Sequence, residues 1–190
     1  SNGDQVVGLR FENLEIPQGA AIISSDIQFT VGGTSNLDPS NIVLRGEASD
    51  AAVIFGSDLF NVSSRPVTNA SVVWSPPTWN TNGESGPDQK TPEMASIIQE
   101  IVNRPGFSTS SPIAIIIDGA GRREAASYDD NPNVSAELCI TYTPYCLSGD
   151  NDGDGVCAAS DCDDNDPNVH ALDCNGVCGG TVIDNDADGS

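Results

Sequence analysis

Residues 150–161 read DNDGDGVCAASD, with carboxylates at the first, third and fifth places of a twelve-residue loop: Asp150, Asp152 and Asp154. Gly155 stands at the sixth place, Val156 offers a backbone carbonyl at the seventh, and Asp161 closes the loop. This is the ligand spacing of an EF-hand calcium loop. A hard divalent cation takes six to eight oxygens at about 2.3–2.6 Å; alternate aspartates turn toward it, and the glycine permits the sharp reversal. Asp161 is shorter than the usual glutamate, and Ala158 at the ninth place leaves that position to water. No helical pattern flanks the loop, which separates it from sensor EF-hands. Acidic density continues through Asp163 and Asp166, and a second start, DNDADG, brings Asp184, Asp186 and Asp188. Ca2+ is the implied cofactor. It would neutralise carboxylates that otherwise repel and order a stretch with too few large apolar residues for a core. The rival account is a solvated acidic linker.

All six cysteines lie beyond residue 138: Cys139, Cys146, Cys157, Cys162, Cys174 and Cys178. An even number crowded into one third of the chain points to disulfides in an oxidising compartment. Short loops close most readily, so the expected pairs are Cys139–Cys146, Cys157–Cys162 and Cys174–Cys178, with Cys162–Cys174 the alternative. A zinc site wants matched Cys pairs at close spacing, and only Cys162, Cys174 and Cys178 approach that. The single histidine, His170, lies in the polar tail and argues against Ser–His–Asp, Cys–His and His-ligated zinc chemistry.

The elements that would carry these residues divide by charge. Residues 1–147 hold all seven basic side chains and 17 acids, whereas residues 148–190 hold 11 aspartates and no base. Two domains are expected: a β-sandwich over 1–147 and an Asp/Cys-rich repeat tail over 148–190, the parent chain running further. The net charge of −21 excludes binding nucleic acid by phosphate neutralisation, and no apolar run reaches the ~18 residues of a membrane span.

Alternation predicts strands over 5–12, 21–31, 42–48, 52–55, 67–74, 112–118, 123–128 and 136–143. Gly32–Gly33, Asp38–Pro39 and Gly119–Gly121 read as loops or turns. One helix is expected, with Thr91 as N-cap, Pro92 at its first position, Glu93 favouring its dipole and Pro105–Gly106 ending it. Met94, Ile97, Ile98, Ile101 and Val102 form its apolar stripe. About eight strands and one helix describe a mainly β fold, a jelly-roll-like β-sandwich followed by an irregular calcium- and disulfide-stabilised tail.

The stretch DNDGDGVCAASDCDDNDPNV, residues 150–169, resembles the Asp/Cys metal-binding repeats of secreted bacterial proteins and is similar to thrombospondin type 3 calcium repeats. DCNGVCGGTVIDND, residues 173–186, resembles another short Cys–Gly repeat of such surface proteins. VGLRFENLEIPQGAAIISSDIQFTV, residues 7–31, resembles the core of DNRLRE-type jelly-roll modules, as do SSRPVTNASVVWSPPTW (63–79) and GRREAASYD (121–129). The resemblance implies an extracellular or cell-surface module with a calcium-stabilised spacer, in which an additional strand usually precedes the VGLRF segment.

Further candidates are weaker. Trp74 and Trp79 would stack on sugar rings if exposed on one face, and would be core residues if buried. Arg122 and Arg123 would pair with Asp129 or Asp130 at the surface. Asn61, Asn69 and Asn133 open N-x-S sequons for N-glycosylation. No coherent catalytic constellation is legible, so a non-enzyme is expected. The expected role is a structural subunit of a surface filament, stalk or adhesive assembly. Its partners would be other copies of itself, by strand exchange or head-to-tail contact, with Val7, Leu9 and Phe11 marking a candidate donor strand. The alternative is a carbohydrate-binding module of a larger secreted enzyme or adhesin.

Overall fold

A computed structural model describes residues 5–143 together with residues 151, 163, 165, 166, 168 and 169. The chain divides into two units between Tyr142 and Thr143, and each is described by itself.

The first unit is mainly β, with antiparallel pairing and one helix, consistent with a β-sandwich. Its strands are β1 (Val7–Phe11), β2 (Ala21–Gln28), β3 (Val31–Glu47), β4 (Val67–Trp74), β5 (Ile113–Ala125) and β6 (Glu137–Thr143); its helix is α1 (Ala95–Val102). One sheet has the order β1-β5-β3-β4 and the other pairs β2 with β6. β1 runs antiparallel to β5 from Val7 opposite Ile117 to Phe11 opposite Ile113. The first strand, with Val7, Leu9 and Phe11, is therefore paired within its own sheet.

Six strands stand among the described residues where eight were expected, because sheet pairing joins what local punctuation divides. β3 runs through Gly32–Gly33 and through the cis Asp38–Pro39 peptide, with register shifts between Val31 and Gly33, Gly33 and Leu37, and Leu37 and Asn41. The expected strands 112–118 and 123–128 are one strand, β5. Gly119 lies within it at φ +116°, and a Cβ there would stand 2.3 Å from the Asn41 carbonyl oxygen. The expected turn is thus a local kink where two backbones approach too closely for any side chain. Residues 52–55 form no strand: Val53 and Ile54 are exposed, and Ala52 is held by its N–H to the Pro112 carbonyl at 3.0 Å and by its carbonyl to Arg10 Nε at 2.8 Å.

The core lies between the sheets and under α1. Leu44, Ile113 and Ile115 come from one sheet and Ile27 from the other; Ile97, Ile98, Ile101 and Val102 fill it from the helix. Burying such a side chain stabilises by about 1.5–3 kcal/mol. The helical stripe is as expected, but its start is not. α1 begins at Ala95 with Met94 as N-cap. Thr91 instead pairs with β2, its hydroxyl accepting from Ile27 N–H at 2.9 Å and its own N–H donating to the Ile27 carbonyl at 3.0 Å. Glu93 Oε1 accepts from Ala95 N–H at 2.8 Å and Ser25 N–H at 2.6 Å, serving helix and strand together.

Residues 89–94 therefore occupy one edge of β2. The Phe29 N–H donates to the Gln89 carbonyl at 3.0 Å, and Gln28 bridges Lys90 in antiparallel sense. β6 takes the other edge of β2. The far edge of β6 has no hydrogen-bonded neighbour strand among the described residues.

Candidate functional site

The acidic tail is described at six positions. The Asp163 carbonyl accepts from Asn165 N–H at 2.7 Å and Asp166 N–H at 3.0 Å, and the Asp166 carbonyl accepts from Val169 N–H at 2.9 Å. Two successive turns thus carry the residues of the second acidic cluster. The Asp166 carboxylate accepts from the Asn168 side-chain amide at 3.0 Å and its backbone N–H at 3.1 Å. These bonds, the side-chain one foremost, hold its pKa below the usual aspartate value. Asn151 Nδ2 donates to Asn165 Oδ1 at 2.8 Å, across fourteen residues of sequence. Asp163 and Asp166 belong to this turn. Asp150, Asp152, Asp154, Val156, Asp161, Asp184, Asp186 and Asp188 lie outside the described residues, as do Cys146, Cys157, Cys162, Cys174 and Cys178. Among the described residues no three ligating side chains converge.

Cys139 is an exposed, unpaired thiol on β6, and its expected partner Cys146 lies outside the described residues. Desolvation raises its pKa, with the charges of Asp26 and Glu137 adding and Lys90 opposing. A thiol kept protonated is a poorer nucleophile than a thiolate. Lys90 Nζ lies 2.8 Å from Asp26 Oδ2.

Trp74 and Trp79 are only 8% and 2% exposed. The Trp74 ring stacks on Phe29 at 5.7 Å between centroids, Trp79 leans against both, and Trp79 Nε1–H donates to the Asp88 carbonyl at 3.1 Å. The sugar-stacking expectation is corrected: neither ring offers a face to a pyranose, because both complete the core. Arg123 is also inside rather than at the surface. Its guanidinium donates to Asp38 Oδ1 at 2.6 Å and to the carbonyls of Pro76 and Pro77 at 2.8 and 2.6 Å, not to Asp129 or Asp130. Arg122 turns to the Ser35 carbonyl and hydroxyl.

The sequons differ. Asn133 is exposed in a short 3-10 turn over Pro132–Val134. Asn69 is exposed on the edge strand β4, its Nδ2 donating to Glu100 Oε1 at 3.3 Å. Asn61 is half-buried, and its Oδ1 accepts from Gly56 N–H at 2.9 Å and Arg65 Nη2 at 3.2 Å.

Arg65 is the organising residue that the sequence did not disclose. It forms an ion pair with Glu47 at 2.7 Å, the two side chains 7% and 6% exposed. It also donates to the carbonyls of Val53, Ile54 and Asn61 at 2.8, 3.0 and 3.0 Å. Its guanidinium lies 4.3 Å over the Phe55 ring. Only a following proline marks it in the sequence, and no local pattern foretells five partners over eighteen residues.

The second open feature is β6. Leu138, Ile140 and Tyr142 pack in part against the core, while Glu137, Cys139, Thr141 and Thr143 face outward. A sheet edge with a half-buried apolar row beneath it can accept an extended strand. The described residues of the first unit form a mainly β, sandwich-type domain in which the outer edge of β6 has no hydrogen-bonded neighbour strand among them. No protein-family model, no curated protein and no solved structure matches this chain. No helix among the described residues is long and apolar enough to cross a membrane.

Proposed function

We propose that the chain is a non-catalytic structural subunit of an extracellular filament, stalk or adhesive assembly, with a tail ordered by Ca2+ and disulfides. The observation that carries this reading is the outer edge of β6, which has no hydrogen-bonded neighbour strand among the described residues and lies over the half-buried Leu138, Ile140 and Tyr142 row. Such an edge supports the reading, since unpaired backbone groups above an apolar row can accept an extended strand. The incoming strand comes from another copy but is not β1, which is paired within its own sheet. Support for calcium comes from the sequence, where Asp150, Asp152, Asp154 and Asp161 stand at the ligand spacing of a calcium loop. Support for the oxidising compartment comes from six clustered cysteines. The carbohydrate-binding alternative rested on Trp74 and Trp79 and loses its residues with their burial.

The test is electron microscopy and light scattering of the full chain in calcium, beside a Thr141→Pro variant. Proline on an open edge removes a ladder donor. Polymers from the parent chain that shorten or vanish in the variant support the reading. A parent chain that remains monomeric at high concentration contradicts it.

A further inference from the structure

The connection between β3 and β4, residues 48–66, presents four large apolar side chains to solvent. Val53, Ile54, Leu59 and Phe60 are 66%, 78%, 88% and 74% exposed. Single exposed apolar residues are ordinary, but two adjacent pairs of them within one connection are not. At roughly 150–200 Å2 for each full side chain, they show on the order of 500 Å2 of apolar surface, near the upper end for a monomer.

This surface is held rigidly. Arg65 gathers the carbonyls of Val53 and Ile54 from one limb of the loop and that of Asn61 from the other. Asn61 Oδ1 ties the limbs again through Gly56 N–H. The Ser64 N–H and hydroxyl both donate to the Phe60 carbonyl, at 2.9 and 2.8 Å. Phe60 itself has φ +65°, a left-handed conformation disfavoured for a bulky L-residue. A strained backbone that aims an aromatic ring into water is a local rule broken with no gain inside the domain, and such sites are characteristically functional.

We infer that this loop tip is a contact surface for a second copy of the chain, paired tip to tip about a two-fold axis. Two observations select that partner. Residues 51–62 carry one charged group, Asp58, and no base. The tip therefore has nothing to attract an anionic partner and little to attract a basic one. It is also the kind of neutral ground on which two chains of net charge −21 can meet. Two such tips would bury about 1,000 Å2 in total, which reaches the lower bound of a specific interface. The contact is distinct from the β6 edge, and two different contacts per chain let an assembly extend instead of closing at a dimer. The inference rests on the assembly reading above.

Sedimentation velocity of the full chain in calcium tests it, with a Leu59→Ser/Phe60→Gly variant, an Ile54→Ser variant and neutral phosphatidylcholine vesicles as a parallel arm. The parent chain is expected to self-associate, and the double variant to do so at least tenfold more weakly. Its Tm should be equal or higher, because glycine accepts the left-handed backbone at position 60. The Ile54→Ser variant leaves the turn intact and should weaken association in the same direction; near-UV circular dichroism from buried Trp74 and Trp79 reports that each variant is folded. Variants that associate like the parent overturn the tip contact and leave the assembly reading standing. A parent that is monomeric in solution overturns both, and one that instead binds the vesicles through this loop assigns the tip to a lipid surface.

Discussion

Arg65 and Glu47 form an ion pair at 2.7 Å with both side chains almost wholly withdrawn from water. Their positions are separated by a long excursion of chain, and their contact is what fixes that excursion against the sheet. Glu47 ends β3 opposite Val67 at the start of β4, so the pair sits where the strand leaves and re-enters the sheet. The remaining guanidinium donors are satisfied by loop carbonyls, which lets a charged pair be buried without orphaned groups.

Removing one partner leaves the other charge buried alone. Arg65→Ala is expected to destabilise the domain by about 3–5 kcal/mol, measured by urea unfolding. Arg65→Lys should recover only part of that loss, because an ammonium lacks the planar fork that reaches Glu47 and the loop carbonyls together. Equal stability of the lysine variant and the parent chain would contradict this account.

Trp79 closes the core beside Phe29 and Trp74, with its indole N–H bonded to the Asp88 carbonyl. Trp79→Ala should cost about 3–5 kcal/mol as a large-to-small core change. The intrinsic fluorescence of the parent chain should be blue-shifted and indifferent to added oligosaccharides. A sugar-dependent change in that emission would reopen carbohydrate binding.

Much of the domain was legible because its signals are periodic. The alternation of Leu9 and Phe11 and the stripe of Ile97, Ile98, Ile101 and Val102 each report one face against the core, whereas Val7, which continues the alternation, is exposed at the strand's start. What misled were residues whose role depends on distant chain. Thr91 has the chemistry of an N-cap but meets Ile27 across the fold, and the strand took it. Gly119 and Pro39 read as punctuation, yet long pairing of β3 with β5 absorbs both as irregularities. The AVIF run at 52–55 is apolar and β-prone like a strand but finds no partner among the described residues to complete a ladder. Trp74 and Trp79 could not be assigned from composition, since aromatic residues serve cores and sugar sites alike. Asp163 and Asp166 were legible as acidic density, but the Asn151–Asn165 contact that ties two segments is not a spacing rule.

Glu100 on α1 accepts from the backbone N–H groups of Ala70 and Asn69 on the edge strand β4, each at 2.8 Å. These bonds, with Ala70 the larger, hold its pKa below the ordinary glutamate value. A carboxylate with a depressed folded pKa adds stability that is fully present above its unfolded value and is lost as pH falls through the folded one. The docking of α1 on β4 should therefore weaken in acid, below the usual carboxylate range. Glu100→Gln is expected to lower Tm at neutral pH by about 2–4 °C and to narrow the difference from the parent chain as the solution is acidified. A constant difference across that range would mean that the charge contributes nothing.

The calcium prediction turns on the sequence spacing of the acidic residues. Carboxylates this dense along the chain repel unless a cation lies among them, and the segment DNDGDG supplies oxygens at alternate places as a hard divalent ion requires. Bonds from Asn168 hold the Asp166 pKa below the usual aspartate value. Calcium titration of the full chain by calorimetry should show saturable binding, and an Asp152→Asn/Asp154→Asn variant should bind at least tenfold more weakly by removing two charged ligands. Limited proteolysis supplies the structural readout. Chelator should expose residues 148–170 to cleavage while the β domain, whose core holds no metal ligand, stays intact. The same double variant should be cleaved there even in calcium. A tail equally resistant with calcium, with chelator and in the variant would show that the acidic spacing carries no metal site, and would leave the disulfides as the sole source of its order.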